Sequence, residues 1–599
     1  MAVAEDRVAE LRVESTIALD DVLRVRLSLL NTSTESRFLL DRFDITLPLP
    51  DQALELKLFD GRWARELHPR RAPFGPGAVT AENRRGRTSH EHVPLAFTGT
   101  PAFGEWSGEV WGMHLAWSGN HQMLAEVLPD GRRYIQFGEL LHAGEVALEP
   151  GQRYDTPELV ATYSGSGLTP ASWGFHRHVR AIGPARGLRP VLLNTWEAVY
   201  FDHDTERLCA LADAAADIGI ERFVLDDGWF AGRRDDRRGL GDWWVSADVY
   251  PDGLRPLIDH VTRRGMEFGI WVEPEMVNPD SDLYRAHPDW ALATDGYEPV
   301  LGRHQLVLDL AHADAYAYIL EALDALLRDH DISFVKWDMN RDHVQGSDRD
   351  GVAGTHAQTV AVYRLIDELR ARHPNVEFES CSSGGGRIDH EILRRTERVW
   401  TSDCNDALER QTIQRYTELL LPPELIGCHV GPPRAHTTGR TQALSFRAIT
   451  ALFGHFGIEW DIASASPQER EELAGWVALH KELRPLLHTG TVVRADRGPE
   501  DFLLHGVVAP DGSRAVYAAV QLTQSVTSAV GRVRLPGLDP RRTYRVSKTA
   551  TPGPESRTAP WSANGGSVEL NGAALASVGV LLPAQWPENA ILLDVTAID

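Results

Sequence analysis

Residues 333–341 read Ser-Phe-Val-Lys-Trp-Asp-Met-Asn-Arg. The apolar run Ser333-Phe334-Val335 gives way at once to Lys336, Trp337, Asp338 and Asn340, which is the pattern of a buried strand ending at a polar rim. On an extended chain Lys336 and Asp338 leave the same face. A carboxylate at a strand end with a lysine two residues away has the makings of an ionised nucleophile. The rest of the chain has to supply a proton donor, groups that grip a substrate and a scaffold.

Outward from this stretch the rhythm is strand, helix, strand, helix. The other apolar strand candidates are Val191–Trp196, Arg222–Asp227, Glu267–Glu275, Gln305–Leu310, Val376–Ser382, Arg398–Asp403, Glu424–Val430 and Gly457–Ile462, and helical patterns such as Glu206–Ile218, Ala313–Arg328 and Thr355–Arg372 lie between them. Repeated βα units imply a parallel sheet. Nine candidates between 179 and 490 predict an α/β fold, a (β/α)8 barrel with one strand to spare, and Gln305–Leu310 is the one read as extra. Polar and aromatic residues gather at the C-terminal ends: Trp196-Glu197, Asp226-Asp227, Trp271 to Glu275, Lys336 to Asn340, Cys381-Ser382 and Asp403. In a barrel these ends form one rim, and active sites are built there.

The flanks read differently. In residues 1–178, Leu23, Val25, Leu27 and Leu29 alternate with polar neighbours, and Phe43, Ile45 and Leu47 repeat the pattern. Breaks at Asn31-Thr32-Ser33, Pro129-Asp130-Gly131 and Pro150-Gly151 separate short runs, so an N-terminal β-sandwich is expected. Arg84–His90 reads as a solvated loop, with a role lining a cleft as the secondary reading. Residues 491–599 return to period two (Phe502–Val508, Ala515–Val520, Tyr544–Val546), broken at Asp511-Gly512 and Pro552-Gly553, which predicts a small C-terminal antiparallel β domain.

Composition narrows the function. The chain has 599 residues, 61 Lys plus Arg against 85 Asp plus Glu, and a net charge of −24. That balance argues against nucleic-acid or anionic-membrane partners, which need a basic surface. The four cysteines (Cys209, Cys381, Cys404, Cys428) lack C-x-x-C spacing, so neither a disulfide framework nor a zinc site is indicated. No apolar run approaches ~18–20 residues, and Met-Ala-Val-Ala-Glu-Asp-Arg carries no basic segment ahead of an apolar core. The expected location is cytoplasmic.

A barrel rim with these groups excludes several chemistries. No strand end carries a His-x-His pair, so no metal is expected. Ser382-Ser383-Gly384-Gly385-Gly386-Arg387 could cradle a phosphate, but a lone glycine run is a weak signal. Serine or cysteine nucleophiles need a histidine base, and none follows either candidate. Paired carboxylates remain. Glycoside hydrolysis uses one ionised and one protonated carboxyl group; Asp338 beside Lys336 suits the first role, and Asp403, after apolar Val399-Trp400, the second. Asp226-Asp227, followed by Gly228-Trp229, offers acceptors for sugar hydroxyls beside an aromatic platform.

These segments resemble the bacterial α-galactosidases of glycoside hydrolase family 36, in a clan shared with family 27. The matching motifs are Asn194-Thr195-Trp196-Glu197-Ala198, Leu225-Asp226-Asp227-Gly228-Trp229-Phe230, Trp271-Val272-Glu273-Pro274-Glu275-Met276, Lys336-Trp337-Asp338-Met339-Asn340-Arg341, the 380–387 segment and Trp400-Thr401-Ser402-Asp403. The resemblance implies a retaining, cofactor-independent hydrolase acting on small oligosaccharides of the melibiose or raffinose type. Asp338 would be the nucleophile and Asp403 the acid/base. Asp226 and Asp227 would hold O4 and O6 of galactose, with Lys336, Arg303 and Asn340 on ring hydroxyls and Trp196 and Trp271 lining the sugar subsite. Cys381 and Gly384 match contacts at the 2-position that leave little room for an N-acetyl group. Alternatives are α-N-acetylgalactosaminidase or transglycosylase action within the clan, or a non-catalytic sugar-binding protein on the same scaffold. The resemblance leaves a homo-oligomer open, although the N-terminal domain reads as shorter than in long tetrameric members. In addition, Cys404 follows Asp403 where many members carry Asn.

Overall fold

The computed structural model describes residues 2–184, 187–496, 501–527, 530–549, 551, 561, 566–583 and 585–599. Eight parallel strands close a barrel: Leu192–Asn194, Arg222–Leu225, Glu267–Val272, Phe334–Trp337, Glu377–Ser380, Arg398–Trp400, Ile426–Val430 and His455–Ile458. They are fully buried runs apart from their first residues, as strands covered on both faces must be. The spare candidate shortens to Leu306–Val307, which pairs with Met276-Val277 outside the barrel. Asp226, Asp227, Asp338 and Asp403 stand just past the ends of their strands, while Asn194, Trp271, Lys336 and Trp400 occupy the last or next-to-last positions within theirs. The helices Thr205–Asp217, Ala313–Asp329 and Thr355–Arg372 lie within a residue of their expected ranges.

Before the barrel, a nine-stranded and a four-stranded antiparallel sheet pack face to face, and their apolar residues (Val25, Ile45, Leu56, Ile135) join the barrel's core. The strand expected around Phe43 starts at Ile45. The edge of the large sheet is the hairpin Glu55–Arg62 and Arg65–Pro73. An open edge invites foreign pairing; here helix Ala407–Thr417, which follows Asp403, packs on it. Helix Leu168–Ile182 crosses the expected boundary at 178 and packs on both the large sheet and the C-terminal strand Thr491–Arg494. The C-terminal domain is a six-stranded antiparallel sheet that includes Phe502–Val508, Arg514–Gln521 and Thr543–Lys548. The turn expected at Pro552-Gly553 lies outside the described residues.

The three parts meet at a buried ionic knot. Glu105 of the N-terminal domain receives Arg415 from helix Ala407–Thr417 at 2.9 Å and Arg494 from the C-terminal domain at 3.2 Å. Burial alone would raise the Glu105 pKa, but the two guanidinium groups bring it down to about 2.

Arg84–His90 is not the solvated loop that its composition suggests. Arg87, Thr88, Ser89 and His90 are all buried. Arg87 donates to the Met339 carbonyl at 2.9 Å and to Ser382 Oγ at 3.1 Å, and Thr88 donates to Asp389 at 2.6 Å. The polar residues that would otherwise be hydrated spend their hydrogen bonds on the barrel rim instead.

Candidate active site

Asp338 stands one residue beyond the fourth barrel strand and is 6% exposed. Asn340 Nδ2 and Trp271 Nε1 donate to its Oδ2 at 2.8 and 3.1 Å, and the backbone N–H groups of Met339 and Ser383 donate to Oδ1 at 2.8 and 3.2 Å. The Cys381 thiol adds a further bond. Burial by itself would raise the pKa, yet the charge of Lys336 and these donors outweigh it and hold Asp338 below the usual carboxylate range. The group is ionised at neutral pH.

Asp403 follows the sixth strand by three residues. Trp400 Nε1 donates to its Oδ1 at 3.1 Å, and Trp63 Nε1, from the N-terminal domain, donates to Oδ2 at 2.8 Å. Burial and the negative charge of Asp338 raise its pKa, and Trp63, Lys336 and Arg303 offset this only in part. Asp338 and Asp403 thus line one cavity of about 570 Å³ with pKa values pushed in opposite directions. That is the division of labour between an anionic carboxylate and a neutral carboxylic acid.

The remaining expected residues fall around the same cavity. Asp226 accepts Lys336 Nζ at 2.8 Å and Asn194 Nδ2 at 2.6 Å. The lysine's direct ion pair is therefore with Asp226, and its effect on Asp338 is through space. Asp227 accepts both arms of Arg233, at 2.9 and 2.8 Å. Trp196, Trp271, Arg303 and Asn340 also line the cavity. Arg303 and His304 sit in a tight turn with φ of 51° and 62°, a left-handed strain of the kind met at functional sites. Cys381 and Gly384 lie behind the wall rather than on it. A Cβ on Gly384, whose φ is 73°, would come within 2.5 Å of the Asp403 nitrogen. The aromatic platform expected beside Asp227 is a correction: Trp229 is fully buried and donates to the Trp271 carbonyl at 2.8 Å. The half-buried Trp196 does line the cavity.

The Asp227–Arg233 pair gives a first measurable outcome. Both side chains are buried, at 2% and 0% exposure, so Arg233→Met leaves a carboxylate uncompensated. Such a change costs about 3–5 kcal/mol. The variant is expected to melt earlier and to bind substrate more weakly; an unchanged melting temperature and KM would show the pair to be dispensable.

From the N-terminal domain Arg62, Trp63, Arg87, His90 and Glu91 line the cavity; Arg87 and His90 fall within the secondary, cleft-lining reading of Arg84–His90, whereas sequence reading missed Arg62, Trp63 and Glu91. No local pattern distinguishes them. His436 and Thr437, on the loop after the seventh strand, complete the mouth. Glu273, flagged only as part of a strand end, accepts Gln305 Nε2 at 2.7 Å and the Asn340 N–H; burial and Asp338 raise its pKa to about 7. Among the described residues, no group of three or more His, Cys, Asp and Glu is arranged to hold a metal ion. No helix among them is long and apolar enough to cross a membrane.

Comparison with known proteins bears on the family and the fold. The melibiase family model matches residues 153–490, and models for the N- and C-terminal domains of glycosyl hydrolase family 36 match residues 1–149 and 504–595. An alpha-galactosidase of Escherichia coli is 47% identical over 603 residues, covering 98% of this chain and 85% of the relative. The alpha-galactosidase AgaA of Geobacillus stearothermophilus is 37% identical over 530 residues, 86% of this chain and 72% of its own. The crystal structure of that AgaA superposes with a TM-score of 0.92 at 34% identity, covering 100% of this chain and 82% of that one. Variants of AgaA have been crystallised with stachyose and with raffinose, and superpose equally well.

Proposed function

The chain belongs to glycoside hydrolase family 36 and is an α-galactosidase of that family, and from this premise we propose that it removes terminal α-linked galactose from small oligosaccharides by retaining double displacement. In this reading Asp338 attacks the anomeric carbon and carries a covalent galactosyl group. Asp403 first protonates the departing oxygen and then takes a proton from the attacking water. The observation that carries the reading is the pair itself: two carboxyl groups on one cavity, Asp338 held below and Asp403 above the ordinary range. A non-catalytic lectin has no need of that opposition.

The grip on the sugar follows from the charges nearby. Asp226 and Asp227 each already have a protein cation, Lys336 and Arg233 respectively, so each can accept a sugar hydroxyl without leaving a bare buried anion. Assigning them to O4 and O6 would distinguish galactose, with its axial O4, from glucose. Arg303 and Asn340 supply donors. The oligosaccharides bound by AgaA variants support the raffinose-type substrate class. Four unpaired thiols, three of them buried, suit a reducing compartment and support a cytoplasmic location.

Galactose is favoured over N-acetylgalactosamine because the Cys381–Gly384 segment closes on both carboxyl groups: Ser383 N–H and the Cys381 thiol bond Asp338, and Gly384 packs against the Asp403 backbone. Rates on paired nitrophenyl α-galactoside and α-N-acetylgalactosaminide test this. We expect kcat/KM to favour the galactoside by ~100-fold or more, the equivalent of about 3 kcal/mol of steric discrimination. Comparable rates would remove the specificity argument, and accumulation of longer galactosides from raffinose would favour transfer over hydrolysis.

A further inference from the structure

The hairpin linking Glu55–Arg62 to Arg65–Pro73 turns in two residues, Trp63 and Ala64, with Arg62 paired to Arg65 across it. Two-residue turns ordinarily draw Asn-Gly or Gly where φ is positive. Here an alanine holds φ at 59°, a conformation costing roughly 1–2 kcal/mol. What secures it is Glu66, which is 1% exposed. One of its oxygens accepts the Ala64 N–H at 3.2 Å and the other accepts the Ser402 hydroxyl at 2.6 Å. Ala64 also packs in a small buried cluster with Cys404. The strained tip is therefore fastened to the residues on either side of Asp403, and between those fastenings Trp63 donates to Asp403 Oδ2. Trp63 remains 48% exposed, so burial of its ring is not what selects it.

We propose that Trp63 is a positioning residue for the acid/base: its indole N–H, opposed by that of Trp400 on the other oxygen, fixes the rotation of the Asp403 carboxyl group and stabilises its ionised form. The role rests on the reading of Asp403 as the acid/base. With an N–H on each oxygen, protonation weakens bonds that are stronger to the anion, and this works against burial, which favours the neutral acid. Asp403 is also faced by Asp338 and Lys336 from the fourth strand, Cys381 from the fifth, Glu197 after the first, Arg303 from the loop after the third, and Glu66 from the hairpin. None of these is altered by Trp63→Phe, which keeps an aromatic side chain and removes the N–H along with the rest of the five-membered ring.

The test is the pH dependence of kcat/KM on raffinose, whose leaving group needs the proton, for the native enzyme, Trp63→Phe, Asp403→Asn and the double variant. Activity requires Asp338 ionised, so the acid limb reports Asp338; it requires Asp403 protonated, so the basic limb reports Asp403. Losing a donor to the anion should move the basic limb of Trp63→Phe upward by about one pH unit, with the acid limb unmoved and the double variant matching Asp403→Asn. If both limbs stay and only KM changes, Trp63 merely walls the aglycone site and the proposal is wrong. A basic limb that survives in Asp403→Asn would instead overturn the assignment of Asp403, and with it this role. Should Trp63→Phe not fold, ¹⁵N-tryptophan labelling of the native enzyme decides: two indole N–H resonances, from Trp63 and Trp400, should titrate together at the basic limb. Fewer than two would refute it.

Discussion

Asp338→Ala is expected to lose turnover on nitrophenyl α-galactoside by ~10³-fold or more, a barrier increase of at least about 4 kcal/mol. Millimolar azide should restore part of the rate and release β-galactosyl azide. The reasoning is stereochemical. Removing the carboxylate leaves a hole on the face from which the nucleophile attacks, still ringed by the Asn340, Trp271 and Ser383 donors. A small anion is attracted there and displaces the aglycone once, so the configuration inverts from α to β. Near-native activity in this variant would remove Asp338 from the mechanism; rescue giving the α-azide would mean that the anion enters from the other face.

Asp403→Ala separates the two halves of the reaction. Galactosides with poor leaving groups, such as raffinose, need a proton donated to the departing oxygen, and positioned acids contribute about 10²–10⁴-fold. We expect losses of that order on raffinose. The nitrophenyl galactoside, whose aglycone departs as a stable anion, should still form the galactosyl-enzyme, so its kcat/KM should fall much less. Azide needs no base, and attack on the β-linked intermediate should yield the α-azide, opposite to the product from Asp338→Ala. Equal losses on both substrates would show that Asp403 is not the proton donor.

Both carboxyl groups were legible in the sequence because a barrel delivers function at strand ends. Asp338 and Asp403 each follow a short run of Val, Trp or Phe, and that transition from apolar to charged is local. The spare strand was legible for a related reason, since Gln305–Leu310 exceeded the number that eight-fold closure admits. Other features were misread. Arg84–His90 looks solvated by composition, yet its hydrogen bonds to Met339, Ser382 and Asp389 come from partners some 250–300 positions away. Trp229 follows Asp227 in sequence and so looked like a sugar platform, but the chain turns it into the core, and Trp196 from another strand end lines the cavity instead.

The sequence by itself determined the barrel, the identity of its rim and the carboxyl pair, since strand periodicity and βα alternation are set by neighbours along the chain. Tertiary structure alone decided how those groups are tuned. It brought Lys336 onto Asp226 rather than Asp338, supplied Arg233 to Asp227, and carried Trp63 across 340 positions to Asp403. Such contacts depend on how sheet and barrel pack, and a through-space hydrogen bond leaves no periodic trace in either partner's local sequence. The opposite displacements of the two pKa values arise from burial and the neighbours that folding assembles, and burial is a property of the folded chain.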